Sequence, residues 1–321
     1  MKAYTSLKLI SLSLGVLLFV SSCEKEVEIE IPGYEKQLVI EGYIETDQPP
    51  FVLLSNSKDI YSPTDLESFL NGFVSGAEVS VSNGTNTVQL IEICTDNLPP
   101  GTEAFASQLF GLPINQLANY HLCAYTSIDP IIFGEAGKKY DLKVIHDGNT
   151  YEASSIMMTP TGFDSTYWKA AEGLPEYGYS YVTFTDPGET KDAYKWEVKR
   201  INKDQNGQTL DLEFTETYNP VFDDEFINGL TFDFWYENPM AYEESTPTEF
   251  QGYYHIGDTV VIKLSKMDQG AFEFFEKKYV QLSTGGSPFA SPANIPSNIS
   301  GGALGVWAAF SPAFDTLICL P

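Results

Sequence analysis

Four cysteines, three histidines and one short run of acids are the residues of this 321-residue chain whose types and spacing could do chemistry. Cys94 and Cys123 bracket a single insertion, CTDNLPPGTEAFASQLFGLPINQLANYHLC, and in an oxidising compartment such a pair closes a disulfide. In the chain-entropy model, cross-linking a loop of about 30 residues contributes about 3.6 kcal/mol. That pairing leaves Cys319 over; the alternative is three reduced, buried thiols. The acids lie in FDDEFINGLTF, where Asp223, Asp224, Glu225 and Asn228 precede a glycine. Calcium takes six to eight oxygen ligands on a flexible loop, so these four are the candidate calcium ligands. The segment lacks EF-hand spacing, and an exposed turn is the simpler reading. His121, His146 and His255 fall in separate elements without HExxH or a close pair, which argues against zinc or a nucleophile–base couple. GxSxG, Walker A and strand–GxGxxG–helix patterns are absent. No glycosidase pair can be picked from 44 acids. The expectation is a protein without catalytic residues, and without a cofactor beyond the candidate calcium.

Cys23 belongs to a different chemistry. Residues 1–22 combine Lys2 and Lys8 with an apolar run from Leu9 to Val20, too short to span a bilayer, followed by small residues. Val20-Ser21-Ser22-Cys23 resembles the bacterial lipobox, in which Cys23 becomes the first mature residue. Its sulfur then carries diacylglycerol and its amine a further acyl chain, and two chains suffice for stable anchoring. The alternative is an ordinary signal with an incidental cysteine. Glu24, Lys25, Glu26, Glu28 and Glu30 follow at once. They resemble the acidic export tag of surface lipoproteins of the Bacteroidetes type, although Val27, Ile29 and Ile31 also alternate as a strand would. Residues 23–36 therefore read as a lipidated acidic tether. The formal charge of −26 becomes two units more negative once Lys2 and Lys8 are removed. Such a surface repels nucleic acid and anionic headgroups, so no nucleic-acid partner is expected.

The elements that must position these residues are mostly strands. Leu38, Ile40 and Ile44 alternate with Val39, Glu41, Tyr43 and Glu45, and FVLLSNS follows a Pro-Pro turn. Asn83-Gly84 and Asp147-Gly148 each sit between alternating arms, the signature of hairpins. Tyr140, two residues before Leu142, resembles the tyrosine-corner strand of immunoglobulin and fibronectin type III sandwiches. Residues 37–161 thus predict an immunoglobulin-like β-sandwich with a short helical insertion at 95–122. Thr102 would cap one helix ending near Gly111, and Leu112-Pro113 would start another. Residues 162–321 predict a second β-rich sandwich domain. There YSYVTFTDP and AYKWEVKRIN are expected to pair, and LDLEFTETY, LTFDFWYEN and DTVVIKLS supply further strands. Met267, Ala271, Phe274, Phe275 and Leu282 predict one docked amphipathic helix with a capping-box-like start at Ser265 and Asp268.

QLVIEGYIETDQPPFVLLSNS, the insertion ending CAYTSID, FTDP, FDDEFINGLTFDF and GSPFASPANIPSNISGGALGVWAAFS together resemble a Bacteroidetes lipoprotein family of unknown function, DUF4249. The resemblance implies an outer-membrane or surface lipoprotein often found beside TonB-dependent receptors. It brings no catalytic residues to transfer.

The function expected is that of a non-enzymatic, surface-exposed outer-membrane lipoprotein. It would serve as an accessory or substrate-capture partner of an outer-membrane β-barrel, foremost a TonB-dependent transporter. The alternative is a free-standing glycan- or peptide-binding lipoprotein. Phe232, Phe234 and Tyr236 alternate on one face with Trp235 opposite; these aromatics could line a glycan surface, although one such face is more often sandwich core. Phe289 and Trp307, in and after the Gly/Pro/Asn-rich segment, are candidate partner contacts, or else loop anchors.

Overall fold

The alternation around Ile40 does produce a strand, and that strand lies in the middle of the molecule. The structure, a computed structural model, describes residues 35–58, 67, 70–110, 112–204, 207–242, 247–284 and 294–320. It is mainly β, 47% strand and 16% helix. In chain order the first strands are β1 (Leu38–Glu45), β2 (Phe51–Asn56), β3 (Glu78–Ser82), β4 (Thr87–Gln89), β5 (Ile91–Cys94), β6 (Cys123–Thr126), β7 (Lys139–His146) and β8 (Asn149–Ile156). Then follow β9 (Ser165–Ala171), β10 (Leu174–Thr185), β11 (Ala193–Arg200), β12 (Thr215–Asp223), β13 (Thr231–Tyr236), β14 (Tyr254–His255), β15 (Thr259–Met267) and β16 (Leu304–Ile318). Helices α1 (Glu103–Phe110) and α2 (Ile114–Leu117) lie in the insertion, and α3 (Gln269–Thr284) precedes β16.

An eight-stranded sheet, ordered β12-β11-β15-β16-β1-β2-β6-β5, runs through both halves of the chain. Two four-stranded sheets pack on it. The first, β4-β3-β7-β8, encloses Ile40, Ile44, Val52 and Leu54 with Val79, Tyr140 and Val144. The second, β13-β10-β14 with β9 paired to β10, encloses Val182 and Phe184 with Trp196, Val260 and Ile262. Two sandwiches are present, but they share a sheet. The boundary expected at residue 161 separates the two small sheets and does not divide the central one. Lys36–Pro321 is accordingly one compact unit.

The junction is β16, which pairs parallel with β1 and antiparallel with β15. Its side chains alternate as a strand requires. Trp307 and Ala309 enter the first core, Leu317 enters the second, and Val306, Ala308 and Phe310 face α3. Trp307 has no exposed surface, and its indole N–H donates to the Tyr140 carbonyl at 2.9 Å. Asn298 holds the Trp307 backbone from both sides, accepting from its N–H and donating to its carbonyl. Trp307 is therefore a core anchor, which corrects its expected role as a partner contact. A Cβ on Gly42 would lie 2.7 Å from Trp307 Cε3, so only glycine lets the indole rest on β1. Residues 294–302 are tied down with it: Ile299 is in the first core, and the Ser300 N–H donates to the Glu152 carbonyl. Phe289 lies outside the described residues, as does Cys23.

Other expectations meet the structure closely. Tyr140 is buried, its hydroxyl donating to the Phe133 carbonyl and accepting from the Glu135 N–H, both at 2.8 Å. That closes the tyrosine corner. Asp147 and Gly148 turn β7 into β8 with positive φ at both positions, as a two-residue hairpin demands. Four details differ. Asp268 alone caps α3, accepting from the Ala271 N–H at 3.0 Å, while Ser265 stays within β15. Leu282 points away from the sheet and is 65% exposed. Strands β10 and β11 face each other across the second core, Phe184 against Tyr194, and pair with other strands. The stretch before Thr215 is not strand because Asp211 turns inward to clasp Arg200, accepting from its backbone N–H, Nε and Nη2.

Candidate functional site

In β10 every second residue is buried: Gly178, Ser180, Val182 and Phe184 pack inward. The intervening Tyr177, Tyr179 and Tyr181 must then stand on the outer face, and the neighbouring strands put more aromatics beside them. Tyr167 of β9 is paired with Tyr181 and stacks on it, with centroids 5.3 Å apart and planes 16° from parallel. Trp235 of β13 lies 4.1 Å from Tyr179 and 6.3 Å from Tyr181. Tyr253 packs against Tyr179 as well, with centroids 4.8 Å apart. Phe250 stacks on Tyr177 at 4.3 Å, and His255 meets the same ring edge-on. Lys169 Nζ sits 5.7 Å from the Tyr181 ring. Phe232, Phe234 and Tyr236 turn inward onto the second core, and Trp235 is 42% exposed. The result is a continuous aromatic platform on the outside of the second sandwich.

At one end the platform runs into a cleft of about 270 Å³, where Tyr177, Phe250, Tyr253 and His255 meet Arg200, Asn238 and Asp258. Asp211 fixes the guanidinium of Arg200 and holds it further above its ordinary range. Flat aromatic faces beside fixed polar groups can grip a ring that is apolar on its faces and polar on its rim. His255, which the sequence set in an element apart from the other two histidines, is part of this surface.

The disulfide-closed insertion builds a second, apolar feature. Cys94 and Cys123 are paired across β5 and β6, joined by a disulfide with their Cα atoms 4.1 Å apart. Behind that link, Ala106, Leu112, Leu117 and Leu122 form a small core under α1 and α2. Its outer side is a groove of about 240 Å³ lined by Phe51, Leu98, Phe105, Phe110 and Ile128. Phe105 is 57% exposed and Ile128 78%. His121 Nδ1 lies 2.8 Å from Asp96 and its Nε2 3.4 Å from Cys123 Sγ. With that sulfur in a disulfide, the three residues form no nucleophile couple.

A third cleft, about 390 Å³, opens between α3 and the central sheet, with Tyr43, Phe51, Phe274, Phe275 and Lys278 in its walls. Glu45, Lys195 and Glu197 of its lining belong to an ion chain. Lys263 bridges Glu45 at 2.6 Å and Glu197 at 3.2 Å, and Lys195 bridges Glu197 and Glu216 at 3.1 and 2.7 Å. Burial alone would lower the Lys195 ammonium's pKa, but Glu197 and Glu216 outweigh it and raise it.

Of the four candidate calcium ligands, Asp224 alone is buried; Glu225 and Asn228 are exposed. Asp223 accepts from the Glu225 N–H, so the segment is the turn its composition suggested.

No curated protein matches the chain. A model of the domain-of-unknown-function family DUF4249 matches residues 24–313, most of the chain, and the protein belongs to that family.

Proposed function

We propose that the protein is a surface-exposed lipoprotein of the outer membrane, anchored through acyl chains on Cys23. In this reading it has no catalytic activity and serves an outer-membrane β-barrel, foremost a TonB-dependent transporter, by capturing substrate for it. The observation that carries the capture role is the aromatic platform of Tyr167, Tyr181, Trp235, Tyr179 and Tyr253 leading into the Arg200 cleft. Ring-shaped ligands such as sugars stack on such faces. The apolar groove beside Phe105 and Ile128 is the surface offered to the barrel. A lipid anchor would confine both proteins to one membrane plane and so raise their effective concentration. Among the described residues no helix is long and apolar enough to cross a membrane.

Purification of the tagged protein from membranes in mild detergent tests the partnership. Recovery of a β-barrel protein, lost on Phe105→Asp substitution, is the expected result; native preparations without a barrel would refute it. The same platform favours a second reading, a free-standing glycan- or peptide-binding lipoprotein. That reading gains if the protein binds a glycan through Trp235 while no barrel co-purifies.

A further inference from the structure

Three buried aspartates lie at one end of the second sandwich, away from the aromatic platform and its cleft. Asp186, Asp192 and Asp224 are each at most 2% exposed. They come from two loops, 186–192 and 224–229, that are laced together. The Asp192 N–H donates to Asp224 Oδ2 at 2.8 Å, the Asp224 N–H to the Asp192 carbonyl at 3.0 Å, and the Gly229 N–H to Asp186 Oδ2 at 3.3 Å. The loops touch through glycines: a Cβ on Gly188 would lie 3.1 Å from Gly229 Cα. One oxygen from each aspartate lies within 4.8 Å of the other two.

The protein's own donors do not satisfy this cluster. The Tyr194 hydroxyl donates to Asp186 Oδ1 at 2.6 Å, and Thr190 donates to Asp192 Oδ2 at 2.8 Å. The Lys266 ammonium is 2.6 Å from that same Asp192 Oδ2. One ammonium against three carboxylates leaves two negative charges uncompensated in a water-poor site, an arrangement that is costly without a counter-ion. The sharpest observation is Asp192 Oδ1, which belongs to a side chain with no exposed surface and has no hydrogen-bond donor at all. A buried acceptor left bare is rare, and a missing ion is one of its standard explanations.

We propose that Asp186, Asp192 and Asp224 form a calcium site, with the bare Asp192 oxygen as one of its ligands. The donors are all oxygen, which selects a hard cation. Calcium tolerates an irregular set drawn from two loops, whereas magnesium demands near-octahedral geometry and sheds its waters reluctantly. Asp224 is the one residue shared with the set expected from FDDEFIN. Its partners come from the preceding loop, 32 and 38 residues upstream, measured along the numbering of the chain. Bound calcium would pin loops 186–192 and 224–229 to each other and, through the bond from the Asp186 N–H to the Leu230 carbonyl, to β13.

The test uses the full chain in detergent after chelator treatment. Terbium, which takes calcium's oxygen ligands, is titrated while tyrosine is excited, because the Tyr194 hydroxyl contacts Asp186. Saturable luminescence that calcium displaces is expected, together with a rise in Tm at about millimolar calcium, the range of extracellular calcium modules. Asp192→Asn lowers the affinity by about tenfold or more, a loss common even for outer-shell partners of a metal. Asp223→Asn, outside the triad, leaves it unchanged. Lys266→Gln, which removes the competing ammonium, tightens binding and covers the case in which Asp192→Asn fails to fold. Absence of both a Tm shift and displaceable luminescence in the unsubstituted protein would overturn the proposal. So would binding that survives Asp192→Asn and disappears in Asp223→Asn.

Discussion

Trp307 and Tyr140 are 167 positions apart in the chain, yet the indole N–H of one donates to the backbone oxygen of the other at 2.9 Å inside a sealed core. The bond joins β16 to β7, so a residue late in the sequence closes the sandwich built mostly from the first half. Trp307→Ala should cost about 3–5 kcal/mol, as large-to-small changes of buried aromatics do. Trp307→Phe should cost less, since it leaves the Tyr140 carbonyl without this donor but keeps most of the packing. Urea unfolding monitored by far-UV CD measures both. A change below about 0.5 kcal/mol would return Trp307 to the surface role first expected of it.

The disulfide pins an insertion whose own core is small. Replacing Cys94 and Cys123 by serine should lower stability by about 2–4 kcal/mol. Limited proteolysis should then cut first within residues 95–122, detected by mass spectrometry of the fragments. Equal resistance of both proteins would mean that Leu112, Leu117 and Leu122 hold the segment without the link.

Lys263 is the hinge of the ion chain on the central sheet, tying Glu45 of β1 to Glu197 of β11. Its side chain is 9% exposed. Lys263→Met leaves two partly buried carboxylates facing each other and should cost about 3 kcal/mol. Adding Glu197→Gln should recover part of that loss, and a double-mutant cycle by urea denaturation reads the coupling.

Alkaline stability follows from buried acids that resist ionising. Burial pushes the Cys319 thiol and Tyr236 up to about 12, and Tyr125, Tyr194, Tyr254 and Tyr279 higher still. The unfolded chain releases these protons first, at the ordinary values of 9.0 for cysteine and 10.0 for tyrosine. Between those values and the folded ones the native state binds more protons, so stability falls as pH rises. The urea midpoint should decline progressively from about pH 9 upward, and Cys319→Ala should soften its first part. A flat midpoint to pH 11 would contradict the burial of these groups.

Trp235 is exposed and belongs to the proposed capture surface. Trp235→Ala should change unfolding stability by no more than about 0.5 kcal/mol. Binding of a glycan found on an array should weaken roughly fivefold or more, matching about 1 kcal/mol for one aromatic stack. Isothermal titration of the two proteins separates these effects, and unchanged affinity would remove the platform from the site.

What could be read in the residues was whatever is encoded locally. The Asp147-Gly148 hairpin, the tyrosine corner at Tyr140, the insertion helices and the stripe of α3 all follow from spacing within one or two elements. Trp235 was legible as standing opposite Phe232, Phe234 and Tyr236; which face was core depended on Phe184 and Trp196 across the sandwich. The parallel pairing of β1 with β16 cannot be read from either strand alone, because Gly42 has to be glycine only once Trp307 lies opposite it. For the same reason one shared sheet looked like two domains. Asp186 and Asp192 carry no local signal, because their meeting with Asp224 depends on how β11 pairs with β12.

The place of β16 also constrains how the molecule can be made. A chain emerging residue by residue carries β1, β2, β3, β7 and β8 long before Trp307 exists to fill the space between them. The first core must therefore wait, open and apolar, until β16 arrives. Folding should be a single late event that follows release of nearly the whole chain, and any cut before Leu304 should leave both sandwiches unfinished.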